Sequence, residues 1–216
     1  MFESLLKSLS GELLFDNLTK SIYATDASVY RKIPLAIAFP KNNQDIKTLI
    51  DFASKNNTTL IPRAAGTSLA GQCVGEGIVV DISKYFTNII AFDEHNKTVT
   101  IQPGVIRDDL NLFLKPYRLF FGPNTSTSNR CTIGGMVGNN SSGTTSIKYG
   151  VTRDKVIQLK TVLSDCSEVI FNELSKEEFK QKTQGSTLEN NIYKTIFSEL
   201  SSEEIQQEIK NEFPKA

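Results

Sequence analysis

The apolar run Leu35-Ala-Ile-Ala-Phe39, stopped by Pro40, opens the stretch that most narrows the fold. A short continuous apolar run with such a stop reads as a buried strand. Asn42 or Asn43 can then cap a helix that carries Ile46, Leu49, Ile50 and Ala53 on one face, and Asn56-Asn57 closes it. Thr58-Thr-Leu-Ile61 begins a second strand, and Gly77-Ile-Val-Val-Asp-Ile82 forms a third. A β-α-β unit followed by another strand predicts a sheet with parallel character.

The second strand runs straight into a glycine-rich stretch, Ile61-Pro-Arg-Ala-Ala-Gly-Thr-Ser-Leu-Ala-Gly-Gln72. Its counterpart further on is Cys131-Thr-Ile-Gly-Gly-Met-Val-Gly-Asn-Asn-Ser-Ser-Gly143. Consecutive backbone N–H groups in a tight loop form an anion-binding nest, and a helix start adds partial positive charge. Small residues let a pyrophosphate come close. A P-loop is excluded, because no Gly-Lys-Ser/Thr occurs. The dinucleotide spacing GxGxxG is absent too: neither Gly66 and Gly71 nor Gly134, Gly135, Gly138 and Gly143 fits it. On composition alone, both stretches also read as turn-rich loops.

The rest of the chain is less regular. Phe2, Leu5, Leu6, Leu9, Leu13 and Leu14 lie near helical spacing and predict one or two short amphipathic helices packed on the protein's own core. Asn88–Asp93 and Thr98–Gln102 form a hairpin around Glu94–Lys97. A helix over Ile106–Lys115, a short strand over Leu119–Pro123, and a second hairpin over Val156–Leu163 and Glu168–Phe171 follow. From Ser175 the chain reads as helical, broken near Gly185-Ser186. The expected divisions are a helical segment 1–21, a first subdomain 22–86 and a second subdomain 87–216.

Lys+Arg and Asp+Glu both number 24 among 216 residues, so the chain lacks the basic excess of a nucleic-acid binder. No apolar run of about 18 residues spans a membrane. The N-terminus lacks the basic and apolar regions of a secretory signal. Cys73, Cys131 and Cys166 are odd in number and widely spaced, without a CxxC pair, so no metal site is expected. A reducing cytoplasm fits best, with peripheral contact at the inner face of a membrane left open.

The motifs taken in order carry a family resemblance. They are Tyr23-Ala-Thr-Asp-Ala-Ser-Val-Tyr30, Pro62–Gln72, Gln102-Pro-Gly104, Gly122-Pro123, Thr132–Gly143 and Tyr149-Gly150. Together they resemble the FAD-binding domain of FAD-linked oxidases, the vanillyl-alcohol-oxidase or PCMH-type flavoproteins. Within that group the chain is most similar to the glycolate oxidase and D-lactate dehydrogenase branch, over roughly residues 22–172. The resemblance implies an α+β, PCMH-type FAD-binding fold: two α/β subdomains with mixed sheets flanked by helices. It implies that Arg63, Ala64, Ala65, Gly66, Thr67 and Ser68 hold the FAD pyrophosphate through backbone amides and the two hydroxyls. Ser126, Thr132, Ile133, Gly134 and Gly135 would run along the cofactor. Asn139, Asn140, Ser142 and Gly143 would meet it further on, with Gln72 and Pro123 beside it. Some members of the group attach FAD covalently through a His in the first loop or a Cys further on. This loop has no His, so non-covalent FAD is expected.

The group's third FAD segment, of the type Gly-Ser-Glu-Gly-Thr-Leu-Gly, and its substrate domain are not found in the sequence. The end at Phe213-Pro-Lys-Ala216 therefore reads as a cut. The single histidine, His95, falls in a polar turn, so no catalytic base is assigned. The resemblance implies the FAD-binding part of an oxidoreductase acting on a 2-hydroxy acid such as D-lactate or glycolate. Substrate and electron acceptor would engage through the missing C-terminal part. A stand-alone nucleotide-binding module without redox chemistry is the alternative.

Overall fold

The computed structural model of the chain describes residues 2–213. Met1 and residues 214–216, which include most of the segment read as a cut, lie outside the described residues. Two compact units divide the chain, Met1–Val156 and Ile157–Ala216. The passage near residue 86 lies within the first of them.

The first unit begins with helix α1 (Phe2–Ser8), strand β1 (Glu12–Leu14) and helix α2 (Asn17–Ile22). Strand β2 (Ala36–Phe39), helix α3 (Asn43–Lys55), and strands β3 (Leu60–Arg63) and β4 (Ile78–Asp81) follow. The strands form one mixed sheet in the order β1-β2-β4-β3. β2 and β3 each run parallel to β4, which inserts between them, and β1 adds antiparallel to β2. Period-two alternation splits the apolar residues between two faces. Leu13, Ala36, Ala38, Ile78 and Val80 pack with Leu5 of α1 and Leu49 of α3. Ile37, Phe39 and Val79 face the other way, against Tyr23, Ile61 and Tyr85. Full burial of a Leu or Ile side chain such as Leu49 or Ile37 stabilises by about 1.5–3 kcal/mol. Helix α3 starts where expected: the Asn42 side chain accepts the N–H of Asp45, and Asn57 leaves the helix in the left-handed region at φ 48°.

Strands β5 (Ile89–Asp93) and β6 (Thr98–Ile101) form the expected hairpin. It packs on helices α4 (Arg107–Leu114) and α5 (Ile133–Gly138) around Val105, Leu110, Leu114, Cys131, Ile133 and Met136. Helix α6 (Ser146–Tyr149) and a 3-10 turn (Thr152–Lys155) complete this unit. The second unit holds a hairpin of β7 (Gln158–Val162) and β8 (Glu168–Asn172), then helices α7 (Lys176–Lys182), α8 (Leu188–Leu200) and α9 (Glu203–Glu212). Val169 and Tyr193 are its buried apolar residues, and Tyr193 meets the rings of Phe171 and Phe179. No helix of the described residues is long and apolar enough to cross a membrane.

Two expectations are corrected. Residues 2–20 are not wholly helical, because Leu13 and Leu14 lie in β1. A Cβ on Gly11 would sit 2.1 Å from the carbonyl oxygen of Phe39, so glycine lets the chain close on the free edge of the sheet. The buried Asp45 carboxylate then accepts the N–H groups of Ser10 and Lys41, both at 2.8 Å. The strand expected over Leu119–Pro123 is absent. Side chains take the place of a ladder partner there: Asn111 accepts the N–H of Phe121, and Arg107 donates to the carbonyls of Phe121 and Pro123.

Candidate cofactor site

The first glycine stretch leaves the sheet at the C-terminal end of β3, where Arg63 pairs in register with Asp81 of the parallel neighbour β4. Loops at this end of parallel strands are where α/β sheets hold ligands. Beyond Arg63 the chain makes no regular structure. No acceptor among the described residues engages the backbone N–H of Ala65, Gly66, Thr67 or Ser68. Gly66 is left-handed at φ 64°, and a Cβ there would sit 2.4 Å from Nη2 of Arg63. The positive φ is what requires glycine here, since the contact is with the far end of a flexible side chain.

The Arg63 guanidinium turns back from the loop. It stacks on the Tyr23 ring, 4.9 Å from its centroid, and donates Nη1 to the Thr25 carbonyl at 2.8 Å. Tyr23 in turn donates its hydroxyl to Asp81 at 2.7 Å, and the other Asp81 oxygen accepts the N–H and hydroxyl of Ser83. Ser68 Oγ accepts the N–H groups of Ala70 and Gln72, both at 3.2 Å. Burial opposes the ionisation of Asp26, but hydrogen bonds from Ser28, Ser68 and Cys73 hold its carboxyl below its ordinary value.

The second stretch comes to meet the first. A Cβ on Gly135 would touch the Ala64 methyl at 3.1 Å. Gln72 Nε2 donates to Asn139 Oδ1 at 3.1 Å. Ala65 and Thr132 both line a cleft of about 250 Å³, together with Gly104, Asp109 and Arg130. That volume is below the roughly 300–1,000 Å³ of a complete small-molecule site. It suits one part of a dinucleotide.

The second stretch forms helix α5, and the first N–H groups of that helix are engaged within the fold. The N–H groups of Ile133 and Gly134 donate to the carbonyls of Val105 and Pro103, both at 2.8 Å. Those of Gly135 and Met136 go to the side chain and carbonyl of Thr132. Thr132, 1% exposed, is therefore the cap of α5. Ile133 is buried in the core, and Pro123 is also buried with its carbonyl taken by Arg107. Asn140 adopts a left-handed conformation and accepts the Arg153 N–H. Gly143 packs so closely on Asn124 that a Cβ would lie 2.1 Å from that residue's carbonyl oxygen. Ser126 and Ser142 are exposed. The expected residues thus divide. Ala64, Ala65, Gln72, Thr132, Gly135 and Asn139 bring the two stretches together, while Pro123, Ile133 and Gly143 support them from behind.

No local sequence pattern marks Thr25, Asp26, Asp109 or Arg130 as part of the site. Asp109 and Arg130 lie on α4 and on the loop before α5, and only the fold brings them to the cleft. His95 is exposed in its hairpin turn, as expected. No group of metal-ligating side chains is found among the described residues.

Residues 34–171 match the family described as FAD binding domain. The chain is 41% identical over 156 residues to a D-2-hydroxyglutarate dehydrogenase of Pseudomonas putida, covering 71% of this chain and 16% of that protein. It is 38% identical over 164 residues to glycolate oxidase subunit GlcD of Bacillus subtilis, covering 74% of this chain and 35% of that one. Among solved structures, BBE-like 1 of Physcomitrella patens superposes with a TM-score of 0.69 at 19% identity, over 80% of this chain and 38% of that one. The chain thus spans well under half the length of these proteins.

Proposed function

The chain belongs to the FAD binding domain family, and on that premise we propose that it is the FAD-binding portion of a flavin-dependent dehydrogenase or oxidase of 2-hydroxy acids. The observation that carries this is the meeting of two small-residue stretches beside four consecutive unengaged N–H groups. Such a row of donors matches the two charges of a pyrophosphate. Ala64 and Gly135 keep the approach free of bulk, and the Gln72–Asn139 hydrogen bond fixes one stretch against the other.

When bound, the flavin would accept a hydride from the carbon that bears the substrate hydroxyl. The residues of this chain would hold and orient the dinucleotide. None of them is assigned as the base that takes the hydroxyl proton. The 2-hydroxy acid, of the D-lactate or glycolate class, and the electron acceptor would engage parts of the longer protein outside this chain. Dehydrogenase and oxidase relatives of matching sequence support the substrate class.

Attachment of FAD would be non-covalent. The first loop has no histidine, and Cys73 and Cys131 are both buried. Burial pushes the Cys73 thiol up, which disfavours the reactive thiolate. With so small a cleft, much of the cofactor would stay uncovered and affinity would be modest. Fluorescence titration of the chain with FAD should saturate in the micromolar range or weaker. ADP should compete, and acid precipitation should release all the flavin. Absence of saturable binding would overturn the reading. Flavin retained in the acid pellet would overturn non-covalent attachment.

A further inference from the structure

Arg63 is the one charged residue between positions 63 and 72, and neutral groups alone hold its guanidinium. Nη1 donates to the Thr25 carbonyl at 2.8 Å and to the Tyr23 carbonyl at 3.5 Å, and Cζ lies 4.9 Å from the Tyr23 ring centroid. These anchors are themselves fixed. Thr25 makes an antiparallel bridge with Arg31, and the Ala24 carbonyl accepts the Lys32 N–H at 3.0 Å. The same guanidinium lies against Gly66: a Cβ there would meet Nη2 at 2.4 Å, Cζ at 2.8 Å and Nε at 3.1 Å. The cation is thus packed on the backbone of the loop that carries the four unengaged N–H groups. No ion pair among the described residues neutralises it. Two carboxylates of the same network are engaged elsewhere. Asp81 accepts from Tyr23 and Ser83, and Asp26 accepts the Ser28 N–H at 2.8 Å and lies 3.8 Å from Cys73 Sγ.

A guanidinium stays charged in proteins at any working pH. Half-buried, this one gives up part of its hydration, and no carboxylate compensates for the loss. An arriving phosphate would. We propose that the Arg63 side chain is a fixed counter-charge of the dinucleotide site. It attracts the pyrophosphate by its field from behind Gly66, while the N–H groups of residues 65–68 make the contacts. The Thr25 and Tyr23 contacts set the cation in place before the cofactor arrives. A partly buried charge is also screened less than one on the open surface. This inference rests on the FAD reading above.

The test sets two neutral variants, Arg63→Gln and Arg63→Met, against Arg63→Lys, which keeps the charge. Fluorescence titration with FAD and competition by ADP are each read over a series of salt concentrations. At low salt both neutral variants should bind FAD about 10-fold more weakly, the order of one charge pair in a partly screened site. ADP, with the same pyrophosphate, should lose as much. Affinity of the unaltered chain should fall as salt rises, and that of the neutral variants should fall less, so the gap closes at high salt. Arg63→Lys should stay within about 3-fold of the unaltered chain and keep its salt slope, because it restores the charge without the planar fork. If Arg63 served the loop's shape alone, all three variants would lose affinity equally at every salt concentration, and that result would overturn the proposal. So would unchanged affinity in the neutral variants. If neither neutral variant folds by circular dichroism, Arg63→Lys decides: a retained salt slope upholds the proposal and a flattened one overturns it. Absence of saturable FAD binding by the unaltered chain would sink the functional reading and this proposal together. Binding by the unaltered chain, with the same salt slope in the neutral variants, sinks this proposal alone.

Discussion

Gly134 has no room for a methyl group: its Cβ would lie 2.4 Å from Cβ of Pro103. Gly66 holds a left-handed backbone angle that L side chains rarely adopt. These two residues show what glycine does in each stretch. In the first it shapes a loop, and in the second it lets a helix press onto the Pro103-Gly104 turn. Behind the first loop stands Tyr23, whose hydroxyl satisfies the buried Asp81. Burial first, then donation to Asp81 and the nearness of its charge, raise the Tyr23 phenol above its ordinary value. A phenol raised in the folded state gives stability that is full below the unfolded value, near pH 10, and is lost as pH rises beyond it. Tyr23→Phe should therefore cost about 1–3 kcal/mol at neutral pH, for a buried acceptor left short. In urea denaturation, the gap between wild type and Tyr23→Phe should narrow above pH 10. A gap constant to pH 11 would contradict this.

At the scale of elements, Asp45 joins three pieces: from the first turn of α3 it holds Ser10 and Lys41 beside β1 and β2. Asp45→Ala orphans two N–H groups and should cost about 2–4 kcal/mol in chemical denaturation. A loss below 1 kcal/mol would mean that water replaces the carboxylate freely. Elements with local signals were legible in the sequence. Asn42 and the face of Leu49 and Ala53 announce α3, and the polar turn at Glu94–Lys97 announces the β5–β6 hairpin. Elements made by distant partners were not. β1 exists because Gly11 fits against Phe39, far along the chain. Leu119–Pro123 has the composition of a strand, but Asn111 and Arg107 supply its hydrogen bonds. Helix α5 hides among glycines, whose low helix propensity masks it, and the Thr132 cap with the carbonyls of Val105 and Pro103 holds it. The N–H groups of Ile133 to Met136 find their acceptors within the fold, a fact that no local pattern carries.

For the molecule as a whole, the first unit is a scaffold that carries two strips to one place. A mixed sheet projects the first from its C-terminal edge, and a hairpin-and-helix core presents the second. On the proposed reading, the N–H groups of Ala65, Gly66, Thr67 and Ser68 hold the pyrophosphate of a dinucleotide. Backbone amide NMR of the chain titrated with FAD, ADP and riboflavin tests it most directly. FAD and ADP should shift these four amides alike, and riboflavin, which lacks the pyrophosphate, should leave them in place. Equal shifts with riboflavin, or FAD shifts that bypass residues 65–68, would contradict it.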